Sequence, residues 1–397
     1  MSNKSNDGKI SRRDAVLGAG AIGLAAMSQS GNAQAGNAAA LPSLQVMKDG
    51  KYPTQSLRQE KVNVSACQTP TMSVDVRNLK ATLKINLDNV LRMIDVAQGM
   101  PAEWGPERRW GAKQDLLCFH ELPLQGWQPW NRKELNMVAI DLPGPESEAI
   151  GERAKRYGCY IAFGCYSREK DWPGHVINMS VIVGPKGDIV AKQWKQKNEI
   201  GMEAAFGAPV GLLSTTVYDV LDRYVEMYGW EAVLPVARTD IGNITMTSAG
   251  RSILLYPMFA MRGCEILILS VTGGSNRVRV ESAARDLNMY AVGVMNSVSF
   301  GNLGFPESTG GVDGGTVICG PHGQLRATST HHVDIAAATI PMAEFRQTRR
   351  VPEIPIEMYL PVLQQYQPKF KKNAFLEYLP EDHFDSGDFV YKRMGWK

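Results

Sequence analysis

The sequence predicts an α/β protein in which two β-sheets pack face to face with helices on the outer side of each. Three observations predict it. Apolar strand-like runs alternate with amphipathic helical stretches up to about residue 300. Several strand pairs are joined by tight turns, such as Pro185-Lys186-Gly187-Asp188, so the sheets are mixed. The repeated order helix–strand–strand suits a four-layer αββα sandwich with a C-terminal extension. The chain has 397 residues, 44% of them hydrophobic and 21% charged, enough to bury a large core. A formal net charge of +3 is close to neutral and calls for neither nucleic acid nor a strongly acidic partner.

Taken in order, the chain opens with a targeting segment, 1–35. Ser11-Arg12-Arg13-Asp14 precedes the apolar run 15–27 and then Asn32-Ala33-Gln34-Ala35. Twin arginine, a modest apolar stretch and an Ala-x-Ala site are the parts of a twin-arginine export signal. The other reading is an N-terminal anchor helix, but the run is short and rich in Gly and Ala for a membrane span. Cleavage leaves a product starting near Gly36, in the periplasm or outside, with no membrane span. Residues 36–60 read as a flexible lead, and 61–345 as the main domain.

The domain begins with a strand at 62–66. A helix follows at 78–98, with Leu79, Leu83, Leu87, Val90, Leu91 and Ile94 on one stripe. A buried strand at 115–119 ends at His120-Glu121. A helix at 146–157, strands at 160–165 and 178–183, and a strand at 189–193 lead to Lys195. Residues 204–240 are mixed, with a helix near 217–228, and read as an insertion over one face that forms part of a pocket wall. The stretch 242–263 reads as a strand, a turn at Ala249-Gly250 and a helix ending at Gly263. Beyond it come the apolar strand 266–271, a helix at 281–289, a strand at 291–295 and a Gly-rich hairpin at 314–323. Residues 346–397 are rich in Pro and aromatics (Tyr359, Tyr366, Phe370, Phe375, Tyr378) and read as an oligomerisation arm wrapping a neighbour.

Six cysteines are scattered at 67, 118, 159, 165, 264 and 319, with no CxxC pair, so no metal site or cofactor is expected. Most lie in apolar patterns, where Cys acts as a small hydrophobe. An oxidising compartment permits a disulfide without saying which.

Three residues could do chemistry. Glu121 lies just past a buried strand, where α/β folds build sites. Partly desolvated there, it has a raised pKa and can act as a general base; a helix cap or an Arg partner suits the position equally. Lys195 belongs to a run with Lys192 and Lys197, which reads either as a site lysine or as a solvated strand edge. Glu203 lies eight residues on, in a Gly/Ala-rich loop.

Together these features resemble the carbon–nitrogen hydrolase family, the nitrilase and aliphatic amidase superfamily, over roughly 62–338. The residues that carry the resemblance are His120-Glu121 before Gly126-Trp127, Gly187 through Lys195, and Asn178 with the Val-Gly-Pro-x-Gly after it. Arg262-Gly263-Cys264-Glu265, Arg285-Asp286-Leu287-Asn288, Asn296 and Gly315 through Gly323 complete it. The resemblance implies the nitrilase-type sandwich, a homo-oligomer and a Glu–Lys–Cys triad acting on a small amide or nitrile. Glu121 takes the base position, Lys195 the oxyanion position and Glu203 the second-Glu position. The cysteine is missing. Counting forward from Gly242 puts the nucleophile position at Ala249; counting back from Arg262-Gly263 puts it at Thr247. Strand register favours Ala249. Thr247 and Ser248 offer hydroxyls nearby, Cys264 reads as a packing residue, and Cys165 sits on a neighbouring strand.

Two readings follow. One is a hydrolase with altered catalysis, through Ser248, Thr247 or a water activated between Glu121, Lys195 and Glu203. The other is an inactive relative that binds a small ligand or a partner protein.

Overall fold

In a computed structural model of the chain, the residues described are 43–99, 113–198, 211–250, 252, 254–272, 277–297, 299–304, 315–351, 353–368 and 370–393. The export signal, Glu203 and the first part of the 204–240 insertion lie outside them. All that follows concerns the compact unit Leu44–Lys397.

The strands are β1 (Val62–Gln68), β2 (Leu116–Cys118), β3 (Ile140–Asp141), β4 (Tyr160–Arg168), β5 (Val176–Val183), β6 (Ile189–Trp194) and β7 (Ala237–Thr239), then β8 (Gly242–Thr247), β9 (Ile266–Val271), β10 (Tyr290–Met295), β11 (Val317–Cys319), β12 (Leu325–Thr328) and β13 (Asp334–Ile340). One sheet runs β13-β1-β2-β4-β5-β6, with β3 beside β4; the other runs β12-β11-β10-β9-β8-β7. Each sheet has a parallel centre (β1-β2-β4 and β8-β9-β10) and antiparallel edges. The central strands are covered on both faces, which is why they read as continuous apolar runs.

Alternation along the strands builds the layers. Val64, Ala66, Leu116 and Ala162 of the first sheet meet Ile244, Met246, Ile268 and Val292 of the second in one apolar cluster between the sheets. The other face of the first sheet is covered by α1 (Leu79–Ala97) through Val90 and Ile94, and, after α2 (Arg132–Val138), by α3 (Pro145–Tyr157) through Ile150 and Ala154. The insertion adds α4 (Leu221–Tyr228). The second sheet's outer face is covered by α5 (Leu255–Met261) and α6 (Arg277–Leu287). This is the four-layer αββα sandwich.

Two expectations are corrected. The lead is tied down from Gln45 onward rather than flexible. Arg58 bonds Asp115 at 2.8 Å, the Tyr52 hydroxyl bonds Glu265 at 2.9 Å, and the Met47 N–H bonds the Met261 carbonyl. The C-terminal arm does not extend away as a whole. α7 (Met342–Thr348) closes the inter-sheet core with Met342 and Phe345. α8 (Ile356–Gln365) buries nothing. The chain then returns to its own body through α9 (Ala374–Glu377) and α10 (His383–Asp388). There Phe370, Phe375 and Phe389 join the core outside the first sheet. Apolar side chains that the sequence leaves free to bury anywhere find their own sheet.

All six cysteines are free and buried, so the disulfide that the compartment would permit is not formed.

Candidate active site

The carboxyl ends of the parallel strands of both sheets point to one place, and Glu121 stands there. Beyond β2 the chain keeps pairing with β4: Phe119 N–H donates to Ala162 O, and Gly164 N–H to His120 O. Gly164 is a glycine because a Cβ would come within 2.1 Å of the Glu121 carbonyl oxygen. His120 is held between threonines, its Nε2 3.2 Å from Thr69 Oγ1 and 3.0 Å from Thr71 Oγ1. Burial pushes its pKa down to about 3, so it is a neutral strut.

Glu121 is buried and accepts three hydrogen bonds. Lys195 Nζ (2.9 Å) and Asn178 Nδ2 (2.8 Å) donate to Oε1, and the Thr272 backbone N–H (3.0 Å), just past β9, donates to Oε2. The raised pKa expected for this carboxyl is corrected. Burial does push it up, but the Lys195 ammonium together with the Asn178 and Thr272 donors outweighs burial, and the pKa lies below the usual glutamate value.

The lysine run resolves into three fates. Lys192 pairs with Glu169 at the surface, at 2.9 Å. Lys197 lies over the Tyr218 ring at 5.6 Å. Lys195, past the end of β6, turns inward: its N–H donates to Asn178 O, and its carbonyl accepts from Val217 N–H. The insertion thus runs along Lys195, with Thr215 bridged to Ile177 of β5. Strand parity separates Lys192 from Lys195, because residues three apart face opposite sides.

The second sheet contributes the turn after β8. Ile244 and Met246 face the inter-sheet core, so the two-residue period directs Ser248 toward the same side. Ser248 Oγ is 3.5 Å from Asn178 Oδ1, the far edge of hydrogen-bonding range. Ala249 is one residue out of phase and packs with Leu255, Tyr256 and Phe259 in the outer layer. Thr247 Oγ1 donates to Gln196 Oε1 at 2.7 Å and accepts from the Ala249 N–H at 3.1 Å, which occupies its hydroxyl. Of the three positions 247, 248 and 249, Ser248 is the one whose side chain meets Asn178, the residue that donates to Glu121.

None of the cysteines belongs to this network. Cys67, Cys159 and Cys165 lie in the core outside the first sheet, Cys118 between the sheets, and Cys264 and Cys319 in the outer layer of the second. Burial raises every thiol, to about 12 for Cys159 and about 11 for Cys264 and Cys319, the opposite of what a thiolate nucleophile needs.

Residues 63–350 match the sequence profile described as Carbon-nitrogen hydrolase, most of the chain. The chain belongs to the carbon–nitrogen hydrolase family. Solved structures share the fold of this carbon–nitrogen hydrolase at low identity. The NitFhit protein of C. elegans is 15% identical, with 79% of this chain and 66% of that one covered and a TM-score of 0.54. An amidase from Nesterenkonia sp. is 13% identical over 77% of this chain and 98% of that one, with a TM-score of 0.51. A mutant of that amidase carries the acetamide moiety of fluoroacetamide covalently at its active-site cysteine; it is 13% identical, with coverage of 78% and 99% and a TM-score of 0.51.

The sequence reading gave two residues of the network no chemical role, although Asn178 helped to carry the family resemblance. Asn178 holds Glu121 and meets Ser248; a lone Asn inside the apolar run Val176–Val183 was its signal. Thr272 acts through its backbone N–H, which no side-chain pattern reveals.

Proposed function

We propose that this carbon–nitrogen hydrolase acts on the C–N bond of a small amide or nitrile, as an amidase or nitrilase type enzyme, with Ser248 standing where relatives carry cysteine. The observation that supports the reading is the buried Glu121–Lys195 pair, linked through Asn178 to the Ser248 hydroxyl. In this reaction Ser248 Oγ attacks the carbonyl carbon of an amide and its proton passes to Glu121. Among the described residues Glu121 Oε2 accepts one hydrogen bond, which leaves a lone pair for that proton. Lys195 meets the charge that develops on the substrate oxygen, an amine or ammonia leaves with a proton, and water hydrolyses the ester. Glu203 is assigned to orienting the substrate and Lys195. No cofactor is required. Export through the twin-arginine segment places the enzyme in the periplasm or outside.

The second reading, an inactive ligand-binding relative, is favoured by one observation: Glu121 has both oxygens engaged and a lowered pKa, which makes it a weak base. Ammonia release from a panel of short amides and nitriles decides between them. Turnover by the wild type that Glu121→Gln abolishes is expected. Silence of the wild type on the whole panel would sink the hydrolase reading. Turnover that survives Ser248→Ala would transfer the nucleophile's role to a water held by Glu121 and Lys195.

A further inference from the structure

A row of three side chains crosses the first sheet at the site. Asn178 of β5 lies in the middle. Lys195 continues β6 beside it, with its N–H on the Asn178 carbonyl, and Tyr166 of β4 is the Cα partner of Asn178 on the other side. Tyr166 and Asn178 form a non-hydrogen-bonded pair, the kind in which side chains come closest, because the backbone groups of Tyr166 point away from β5. They point to Gln125, where β2 has ended. The Tyr166 N–H donates to Gln125 Oε1 at 3.4 Å, and Gln125 Nε2 donates to the Tyr166 carbonyl at 3.1 Å. Along β4, Ala162, Gly164 and Tyr166 follow one another on the inter-sheet face. Glu121 lies against Gly164, so Tyr166 is the next side chain toward the carboxyl end of the strand.

The phenol of Tyr166 is fixed from several sides. The residue is buried, Trp130 meets its ring edge-on at 6.4 Å, and the Trp127 indole N–H donates to its oxygen. Burial, and after it the charge of Glu121, push the phenol up, so it keeps its proton. Among the described residues no acceptor takes that proton. A buried donor without an acceptor is costly, and a ligand that supplies the acceptor removes the cost.

We propose that Tyr166 determines specificity: its hydroxyl donates a hydrogen bond to a neutral oxygen on the carbon chain of the substrate, so the enzyme prefers a small amide or nitrile that carries an ether, hydroxyl or carbonyl near the reacting carbon. This rests on the hydrolase reading and names its substrate class. The position selects the carbon chain. Ser248 meets Asn178 at the middle of the row, Lys195 stands on one side for the reacting oxygen, and Tyr166 stands on the other. The chemistry selects a neutral oxygen. A carboxylate at Tyr166 would lie near the Glu121 charge, and the Lys195 ammonium is already paired with Glu121.

Methoxyacetamide and butanamide differ by an ether oxygen in place of a methylene, so the pair isolates the contact. The wild type is expected to show a kcat/KM for methoxyacetamide roughly tenfold or more above that for butanamide. Tyr166→Phe keeps the ring against Trp130 and removes only the hydroxyl. It is expected to erase the ratio by lowering methoxyacetamide while butanamide stays within about twofold. Malonamate, which offers a carboxylate instead, is expected to be the poorest of the three. A wild type without the preference overturns the proposal with no variant needed, and malonamate ahead of methoxyacetamide overturns the neutral oxygen. An equal loss on both amides in Tyr166→Phe overturns it in favour of a general role in holding the site, and an unchanged ratio reduces the hydroxyl to a strut for Trp127. Dissociation constants of the same compounds from ligand-observed NMR separate this from the hydrolase reading. A protein that turns nothing over, yet binds methoxyacetamide more tightly than butanamide and loses the difference in Tyr166→Phe, fails as a hydrolase and keeps Tyr166 as the recognition residue. Without that difference the proposal falls as well.

Discussion

The two sheets bring unequal equipment to the same place. The first ends in a buried ion pair, Glu121–Lys195, braced by Asn178 and by a glycine that lets β4 approach. The second ends in the turn 247–250, where the polar groups largely satisfy one another. Thr247 caps Ala249, Gly250 N–H returns to Ser248 O, and the Tyr256 hydroxyl closes on Gly250 O. Across the gap, Thr247 reaches Gln196 and Ser248 reaches Asn178 beside Glu121. The first region holds a buried ion pair, which stabilises a fold little or not at all relative to apolar side chains. The second holds a turn, 247–250, that carries no thiol. The chemistry is therefore divided between a strongly charged half and a nearly silent one.

The largest test of this contrast removes one partner of the pair. We predict that Lys195→Met, which leaves Glu121 as an uncompensated buried charge, costs about 3–5 kcal/mol in urea unfolding. Adding Glu121→Gln to it restores part of the loss, so the double mutant is more stable than the sum of the singles. Additive losses would mean that the two charges do not act as a unit.

Acid lability comes next. His120 has a folded-state pKa of about 3 against an ordinary value near 6.5, so the unfolded chain binds a proton that the folded chain refuses. Its contribution is complete above pH 6.5 and is lost as pH falls toward 3, on the order of 5 kcal/mol in all. Glu121 adds a loss in the same direction, setting in only below its ordinary pKa near 4.3. His120→Gln should therefore flatten the decline between pH 6 and 4 while leaving the one below. A slope unchanged in that window would exclude His120 as its source.

Gly164→Ala forces a methyl toward the Glu121 carbonyl and should cost about 1–3 kcal/mol, with activity falling as the carboxylate moves. The smallest effect on stability is predicted in the silent half. Ser248→Ala should change the unfolding free energy by less than about 1 kcal/mol, since its one hydrogen bond is long, yet abolish turnover. A large loss of stability there would make Ser248 a structural residue and remove the contrast.

Much of this could be read without coordinates. Alternation at Val62–Gln68, the continuous apolar run Ile266–Val271 and the stripe along Leu79–Ala97 are local properties, and each element appears within a few residues of its expected place. Glu121 and Lys195 were also legible, as residues just past buried strands. What the sequence could not settle was phase. Whether position 247, 248 or 249 faces the ion pair depends on how a turn leaves its strand, and a shift of one residue reverses the side that a side chain takes. Neither could it settle how the charges balance. Burial alone would raise the Glu121 pKa; the fold lowers it by bringing Lys195, Asn178 and Thr272, 74, 57 and 151 residues away, within about one hydrogen bond. The same holds for the C-terminal arm, whose apolar residues announce burial but not the surface that buries them. Sequence alone determined which groups are present and which face of each element is apolar, because those follow from side-chain chemistry and the helix and strand periods. Only the tertiary structure decided which groups meet, because electrostatics and hydrogen bonding depend on distances that the chain closes through distant contacts.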